Sequence, residues 1–277
     1  MKISVLMENT ALSPEFACEH GLSLYIETQA GKILFDTGKS GLFLKNAHLM
    51  GINLAQVDFA ILSHGHFDHG GGLMSFMQVN QKAPIYMHEK AFGEHFSKRE
   101  RNDNGLFPIG IDPLIKNSPR LQMLKGDFSV GKGLLLFSAV PGQKLQSQSN
   151  KNLLRREGEQ LVPDPFFHEQ NLIISEGGKN ILISGCAHRG IVNILEQAVH
   201  LAGSPMDAVI GGFHLSSPSR GTTESDETIE AIARALLDWP TRYYTCHCTG
   251  LEPYAKLKKL MGDQIEYVQA GKELIFG

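Results

Sequence analysis

Alternating apolar and polar positions in the first third of the chain predict short strands and turns. Strand-like runs occur at residues 2–7, 22–27, 32–36, 57–62 and 84–88. A short turn joins the second run to the third, which is typical of a hairpin. Residues 57–62 (VDFAIL) are almost wholly apolar, so we predict a strand with both faces buried. A helical pattern from Gly41 to Met50 precedes this strand.

The last third of the chain alternates strands with helices. Strands are predicted at residues 171–176, 180–184, 207–210, 243–246 and 265–268, and helices at 190–202, 223–239 and 254–261. Thr223 and Asp226 have the spacing of a capping box at the start of the second of these helices. Because hairpins occur beside strand–helix alternation, we expect an α/β protein with mixed sheets.

The middle of the chain breaks this regularity. Residues 94–132 are charged, contain several Gly and Pro residues, and show weak periodicity. We interpret them as a lid-like insertion in a single domain that spans residues 1–277. The basic cluster of Lys98, Arg99 and Arg101 in this segment is either a solvated loop tip or a binding site for a phosphate-bearing substrate.

Composition narrows the class of protein. Hydrophobic residues make up 42% and charged residues 20% of the 277 residues, which is typical of a folded chain and excludes a disordered one. The net charge of −3 argues against a dedicated nucleic-acid-binding protein. The four cysteines are too few for a disulfide scaffold, and no run reaches the ~18 apolar residues of a membrane helix. We therefore expect a cytoplasmic protein whose partner is a small molecule, with no membrane or nucleic-acid partner and an oligomeric state left open.

A compact metal-binding motif follows the apolar run at 57–62. His64, His66, Asp68 and His69 lie within six residues of one another. Neutral imidazole and carboxylate are ligands that zinc and similar divalent ions prefer. In a loop, His64 and His66 can converge on one ion, while Asp68 and His69 point to a second. A surface loop that happens to be rich in histidine is the less favoured interpretation.

This motif has the form H-x-H-x-D-H and resembles that of the metallo-β-lactamase superfamily. The resemblance extends to LFDTG at 34–38, LISGCAHRG at 182–190, GGFHL at 211–215 and HCTG at 247–250. Their combination is similar to the subgroup named for 7,8-dihydropterin-6-methyl-4-(β-D-ribofuranosyl)aminobenzene 5′-phosphate synthase. It implies a four-layer αββα sandwich with the metal site at one end, between two mixed sheets, and Asp36 beneath the metal loop.

The resemblance also implies a set of metal ligands. His64 and His66 would bind the first ion, and Asp68, His69 and His247 the second. We choose His188 as the third ligand of the first ion, with His168 as its competitor and Glu169 as a further alternative. Cys186 stands where many superfamily members carry a bridging aspartate, so it is either a zinc-binding thiolate or an inert buried residue.

The other histidines, and the cysteines at 246 and 248, lie outside this set of ligands. The resemblance places His214 at the mouth of the site, where we expect it to contact the substrate or its leaving group. We assign the other histidines to the surface or to packing: His20, His48, His88, His95 and His200. Because alternate residues of a strand face opposite sides, Cys246, His247 and Cys248 are not expected to bind one ion together.

The expected ligands and His214 together predict a reaction that uses metal-activated water. Two divalent ions, expected to be zinc with iron or manganese as alternatives, would lower the pKa of a bridging water toward neutrality. The resulting hydroxide, oriented by Asp68, would attack carbon or phosphorus, and His214 would assist the leaving group. We therefore predict a metal-dependent hydrolase of a small ester, lactone or phosphate-containing substrate. The alternatives are a transferase that condenses a dihydropterin diphosphate with a phosphorylated ribofuranosylaminobenzene, and a di-iron redox protein.

Overall fold

The computed structural model describes residues 1–99, 105–218 and 220–277, and within them two seven-stranded sheets lie face to face. The strands of the first half are β1 (Lys2–Met7), β2 (Ser23–Thr28), β3 (Gly31–Phe35), β4 (Phe59–Ile61), β5 (Ile85–His88), β6 (His95–Lys98), β7 (Leu106–Pro108), β8 (Leu121–Leu124) and β9 (Phe128–Gly131). Those of the second half are β10 (Leu134–Ser138), β11 (Leu153–Glu157), β12 (Gln160–Pro163), β13 (Gln170–Glu176), β14 (Lys179–Ile183), β15 (Ala208–Gly211), β16 (Ser216–Ser217), β17 (Thr222–Thr223), β18 (Arg242–Thr245), β19 (Ile265–Tyr267) and β20 (Glu273–Ile275).

Both large sheets are mixed, as the sequence predicts. The first has the strand order β20-β1-β2-β3-β4-β5-β8, and the second has the order β19-β18-β15-β14-β13-β10-β9. Hairpin neighbours such as β2 and β3 are antiparallel, whereas β3, β4, β5 and β8 run parallel. In the second sheet, β14, β15, β18 and β19 are the parallel strands.

Helices cover the outer face of each sheet. They are α1 (Leu42–Leu49), α2 (Phe67–Gly70), α3 (Leu73–Val79), α4 (Ile191–Ala202), α5 (Asp226–Leu237) and α6 (Leu251–Met261). One apolar cluster joins the facing sides of the two sheets, a second packs α4, α5 and α6 on the second sheet, and a third packs α1 and α3 on the first. The fold is therefore the predicted four-layer αββα sandwich.

The start of α5 differs from the prediction. Ser225 is its N-cap, and the side chain accepts a hydrogen bond from the backbone N–H of Thr228. Thr223, which we expected to cap the helix, lies in the short strand β17 and pairs with Ser216. The helix begins at Asp226 because Ser225 satisfies an N–H of its first turn.

The segment 94–132 is not one continuous insertion. Its last part forms β8 and β9, which are edge strands of the two large sheets. Its first part forms β6 and β7, which join β11 and β12 in a smaller sheet of order β12-β11-β6-β7. The backbone N–H of Phe67 donates to the carbonyl of Ile109, so this smaller sheet lies directly against the histidine-rich loop. Arg101 of the predicted basic cluster falls outside the described residues.

Loops after parallel strands meet at one end of the sandwich. Asp36 follows β3, and His64 lies in the loop after β4. On the second sheet, Cys186 follows β14 and His214 follows β15. His247 follows β18. Carboxyl ends of parallel strands share an edge, so each sheet contributes its polar loops to the same site.

Candidate metal centre

The loop that links β4 to α2 turns sharply and carries the histidine-rich motif. Gly65 packs so closely against Ala91 that a Cβ at this position would collide with the Ala91 carbonyl oxygen. The Gly65 N–H donates to His168 Nδ1 at 3.0 Å, and α2 begins immediately after His66. A glycine is therefore required where the chain reverses, and the reversal directs both His64 and His66 inward.

Three histidines from the two halves of the chain form the first donor set. His64, His66 and His188 offer ring nitrogens that lie within 4.8 Å of one another. All three side chains are buried, and within the described part of the chain the Nε2 atom of each has no hydrogen-bond partner. Buried imidazole nitrogens without partners cost free energy unless another group binds them, so the arrangement fits a metal ion.

The protonation of these rings also suits a metal. Burial, reinforced by the neighbouring imidazoles, lowers the pKa of His64 and His188 well below the usual value. Burial likewise lowers the pKa of His66. Ser63 Oγ lies 2.9 Å from His64 Nδ1, and Asn150 Oδ1 lies 3.2 Å from His188 Nδ1. The rings are thus neutral and oriented, which is the form that coordinates metals.

Asp68, His69 and His247 form the second donor set. His69 Nε2 lies 3.2 Å from His247 Nε2, and His247 Nε2 lies 3.4 Å from Asp68 Oδ2. Burial opposes ionisation of Asp68, but hydrogen bonds from His20 and His247 outweigh it and hold the pKa well below its usual value. The structure therefore brings together all three residues predicted for the second ion.

Asp36 contacts the side of His69 that faces away from the second donor set. Its Oδ2 lies 2.6 Å from His69 Nδ1, and its two oxygens accept hydrogen bonds from the backbone N–H and the hydroxyl of Ser63. Burial disfavours protonation of His69, but the charge of Asp36 outweighs it and raises the pKa of His69 to about 9. A carboxylate on the far nitrogen fixes the ring so that Nε2 faces the donor set.

His168 and Glu169 are engaged with neighbours. His168 accepts from the Gly65 N–H through Nδ1, and its Nε2 lies 3.2 Å from Asp164 Oδ2. The two oxygens of Glu169 accept the backbone N–H groups of His188 and Arg189 at 2.6 and 3.0 Å. Burial raises the pKa of Glu169 to about 7. Among the alternatives for the third ligand, His188 has a ring nitrogen within 4.8 Å of those of both His64 and His66, and its Nε2 has no hydrogen-bond partner in the described residues.

The two thiols at the site occupy positions that the strand pattern did not predict. Strand β18 ends at Thr245, and residues His247–Thr249 form a 3₁₀ turn. Because of this turn, Cys248 lies on the same side as His247, and Sγ of Cys248 falls within 4.8 Å of the donor atoms of Cys186 and His247. The strand alternation therefore does not extend to Cys248, while the expectation that Cys246, His247 and Cys248 do not bind one ion together stays a prediction. Cys246 lies in the apolar core between the sheets.

Two histidines that we assigned to the surface or to packing belong to the site region. His20 Nε2 lies 3.2 Å from Asp68 Oδ2, and its ring is 4.7 Å from that of His247. His95 is buried, and its Nδ1 lies 2.7 Å from Asp164 Oδ2 in a cluster with His66 and His168. Neither residue belongs to a local motif, so no sequence signal could have found them. His200 is exposed, as predicted.

His214 lines a cavity of about 470 Å³ that His66, Asp68 and His188 also line. Its ring is 4.2 Å from that of His188, and neither ring nitrogen has a hydrogen-bond partner in the described residues. The backbone at His214 has a positive φ of 51°, and His247 has one of 52°. Residues with side chains rarely adopt this conformation, and such strain is concentrated at functional sites.

Comparisons with known proteins agree with this geometry. The sequence matches the family model of the metallo-β-lactamase superfamily over residues 17–219. It is 30% identical over 301 residues to the 7,8-dihydropterin-6-methyl-4-(beta-D-ribofuranosyl)-aminobenzene-5'-phosphate synthase of Methanocaldococcus jannaschii, an alignment that covers 100% of this chain and 97% of the relative.

Solved structures of the same fold superpose on this chain. The crystal structure of Tm1679, a metal-dependent hydrolase of the beta-lactamase superfamily, superposes with a TM-score of 0.83 and 28% identity, covering 100% of this chain and 99% of that one. An isothiocyanate hydrolase from Delia radicum gut bacteria shares the fold, with a TM-score of 0.56 and 16% identity over 100% of this chain and 99% of its own. Within residues 1–99, 105–218 and 220–277, no helix combines the length and apolar character needed to cross a bilayer.

Proposed function

Since the chain belongs to the metallo-β-lactamase superfamily, we propose that it is a hydrolase that uses a binuclear metal centre on a small, phosphate-bearing substrate. The chain is a metal-dependent enzyme of this superfamily. The proposal concerns the reaction, the number of ions and the substrate class. It is supported by the two donor sets described above and by the charge of the cavity that opens over them.

Cationic side chains beside the candidate ligands are the observation that carries the substrate class. Lys39, Arg99 and Arg220 line the same cavity as His66 and Asp68. Such a concentration of positive charge beside a metal centre favours an anionic substrate. Arginine can hold a phosphate through two parallel hydrogen bonds, so these side chains suit a phosphate group at the cavity mouth.

Arg99 is held in place by its surroundings. Its guanidinium lies over the ring of Phe107 at 4.4 Å from the centroid, and its Nε is buried with no hydrogen-bond partner in the described part of the chain. Arg220 donates to the carbonyls of Lys98 and Ser149 at 3.3 Å each. Both side chains therefore lie in the cavity wall before a substrate arrives, which reduces the entropic cost of binding.

The donor sets define what the protein's own residues contribute to the reaction. His64, His66 and His188 would hold one ion and Asp68, His69 and His247 the other, and such ions would supply Lewis acidity and lower the pKa of a bound water. Asp68 belongs to the second donor set and lines the cavity, so we assign its carboxylate to orienting the nucleophile while it remains a ligand. His214 faces the cavity with its ring nitrogens available, and we assign it the hydrogen bond to the leaving group.

Synthase chemistry is the second candidate. The relative from Methanocaldococcus jannaschii, aligned over 100% of this chain, is named for a reaction whose product carries a 5′-phosphate. A transferase that condenses a dihydropterin diphosphate with a phosphorylated ribofuranosylaminobenzene would also need cations at the cavity mouth. The three cationic side chains that line the cavity therefore fit both candidates, and an assay of the reaction distinguishes them.

One assay series separates the candidates. The metal-loaded protein is offered phosphate monoesters, phosphodiesters and diphosphates of small alcohols, together with neutral esters and lactones of matched leaving group. Hydrolysis of a phosphate-bearing compound that is lost in His66→Ala would support the proposal. Equal turnover of the neutral compounds would contradict the substrate class. Formation of the condensation product, detected by mass spectrometry, without hydrolysis would favour the synthase.

A further inference from the structure

A second cavity, of about 300 Å³, is separate from the one beside the donor sets. His95 and His168 line it, whereas His66 lines the cavity of the candidate metal centre, and within the described residues the two cavities share no lining residue. The ring of His66 lies 5.6 Å from that of His95 and 5.3 Å from that of His168, so a layer of imidazoles lies between them. A volume of this size is at the lower end of the range for small-molecule pockets.

Cationic side chains are concentrated on the wall of this second cavity, which Lys90, Lys116, Arg155 and Arg156 line. The ammonium of Lys90 lies 4.6 Å from the ring centroid of Phe167, and the guanidinium of Arg155 lies 5.8 Å from the same centroid. Like charges held beside one ring repel each other, and an anion bound between them would remove that cost. The arrangement therefore favours an anionic ligand.

Counter-charges within the chain satisfy only part of this wall. Arg156 is engaged by Glu94 at 2.9 Å, so its charge is already paired. Arg155 has one nitrogen 3.1 Å from Glu157, but its Nε is buried and has no hydrogen-bond partner in the described residues. In the same described ranges, no carboxylate forms an ion pair with Lys90 or Lys116. Three cationic groups thus remain for a ligand.

The two carboxylates that line the second cavity are engaged by other groups. Glu89 forms an ion pair with Lys125 at 3.3 Å. Asp164 is buried, and its Oδ2 lies 2.7 Å from His95 Nδ1 and 3.2 Å from His168 Nε2. The histidine contacts occupy this carboxylate, so it does not take up the charge of the lysines.

His95 adds a hydrogen-bond acceptor to the second cavity. Its Nδ1–H is donated to Asp164, and in a neutral imidazole with this tautomer Nε2 is an acceptor. The ring is buried, and Nε2 has no hydrogen-bond partner in the part of the chain that the structure describes. A Cβ on Gly93, another lining residue, would lie 2.9 Å from this Nε2, so the nitrogen is directed at the cavity wall.

A ligand for this cavity must therefore carry negative charge and a proton that it can donate. Hydrogen phosphate has both at neutral pH, whereas sulfate has the charge without the proton. We propose that the second cavity is a binding site for inorganic hydrogen phosphate, held by Lys90, Lys116 and Arg155 and donating its proton to His95 Nε2. The site goes beyond the proposed function, because it is distinct from the cavity in which the reaction is placed.

Calorimetric titration of the metal-loaded protein with inorganic phosphate tests the proposal. Phosphate also has a place beside the candidate metals, so we expect two binding events in the wild-type protein. The double variant Lys116→Gln/Arg155→Gln should weaken one event about tenfold or more and keep the other. Arg99→Ala should weaken only the other event. Arg242→Gln is the matched control, since its guanidinium lies 5.9 Å from the ring of Tyr244 on β18, and it should change neither event.

The outcomes separate this site from the proposed function. One event that is lost in the double variant and kept in Arg99→Ala would support the second cavity, whatever the reaction proves to be. No binding, or binding that the double variant leaves unchanged, would overturn it, as would an equal loss in Arg242→Gln. Lys116→Gln alone removes an exposed side chain and should weaken the same event in a protein whose circular dichroism is unchanged.

Sulfate is the second titrant and tests the role of His95. At the event that the double variant weakens, sulfate should bind about tenfold or more weakly than phosphate, because it leaves the buried Nε2 without a donor. Equal affinity for the two anions would overturn the assignment of hydrogen phosphate as the ligand.

Discussion

The buried carboxylate of Glu8 accepts a 2.7 Å hydrogen bond from the backbone N–H of His247. The same oxygen accepts the hydroxyl of Tyr267 at 2.6 Å, and the other oxygen accepts the backbone N–H and the hydroxyl of Thr10. The end of β1 thus fixes the turn that carries a candidate ligand 239 positions later in the chain.

Replacing Glu8 by Gln should loosen this turn. An amide can still accept from His247 but presents an unmatched NH₂ to other donors, so we expect a loss of about 1–3 kcal/mol in the free energy of unfolding. The affinity for the second ion should fall about 10–100-fold, as for other groups that orient ligands. Tyr267→Phe is the control, because it removes a hydrogen bond from Glu8 without touching His247. Equal metal affinity in wild type and Glu8→Gln would contradict this role.

Exchange of single histidines tests the third ligand of the first ion. His188→Ala should lower the metal content by one ion per chain and abolish activity, because His188 offers a ring nitrogen within 4.8 Å of those of His64 and His66. His168→Ala should keep the ions, since both of its ring nitrogens already have partners in Gly65 and Asp164. Elemental analysis of the two purified variants decides between them. The reverse pattern would transfer the ligand role to His168.

Removal of Arg99 tests the substrate class. Arg99→Ala should raise KM for a phosphate-bearing substrate about tenfold, the cost of about 1.4 kcal/mol of binding, with a smaller effect on kcat. The effect should shrink as salt is added, because dissolved ions screen the attraction between the guanidinium and an incoming anionic substrate. Arg234→Ala is the matched control, since this exposed arginine on α5 pairs with Glu230. Unchanged KM in Arg99→Ala at low salt would count against an anionic substrate.

Metal removal should also be visible as a loss of stability. A ligand that binds only the folded chain raises the free energy of unfolding by about 2.7 kcal/mol at a concentration 100 times its Kd. We therefore expect a chelator to lower the Tm of the wild-type protein. In His64→Ala the chelator should have a smaller effect, because one ion is already weakly held. A wild-type Tm that is indifferent to chelator would show that the buried histidines are stable without metal.

Local motifs predicted the parts of the site that are close together in sequence. The loop from His64 to His69 and the loop containing His188 follow apolar strands, and glycines mark their turns. The family resemblance implied that these loops meet at one end of the sandwich, and the parallel strands of the structure bring them together there. The choice of His188 could be made before the structure because it follows a clear strand.

Contacts between distant positions could not be predicted in the same way. The pairing of His95 with Asp164 spans 69 positions and depends on how β6 and β11 align in the smaller sheet. The side on which Cys248 lies could not be predicted, because a strand pattern does not show where β18 gives way to a 3₁₀ turn. Strands β8 and β9 were missed because edge strands face solvent on part of their surface and have weak apolar periodicity.

Crystals of the metal-loaded protein would test the binuclear centre most directly, through the anomalous scattering of the bound ions. The account predicts two anomalous peaks, one between His64, His66 and His188 and the other between Asp68, His69 and His247. A single peak at one of these positions would contradict a binuclear centre. Peaks confined to the neighbouring cluster of His95, Asp164 and His168 would contradict the assignment of both donor sets.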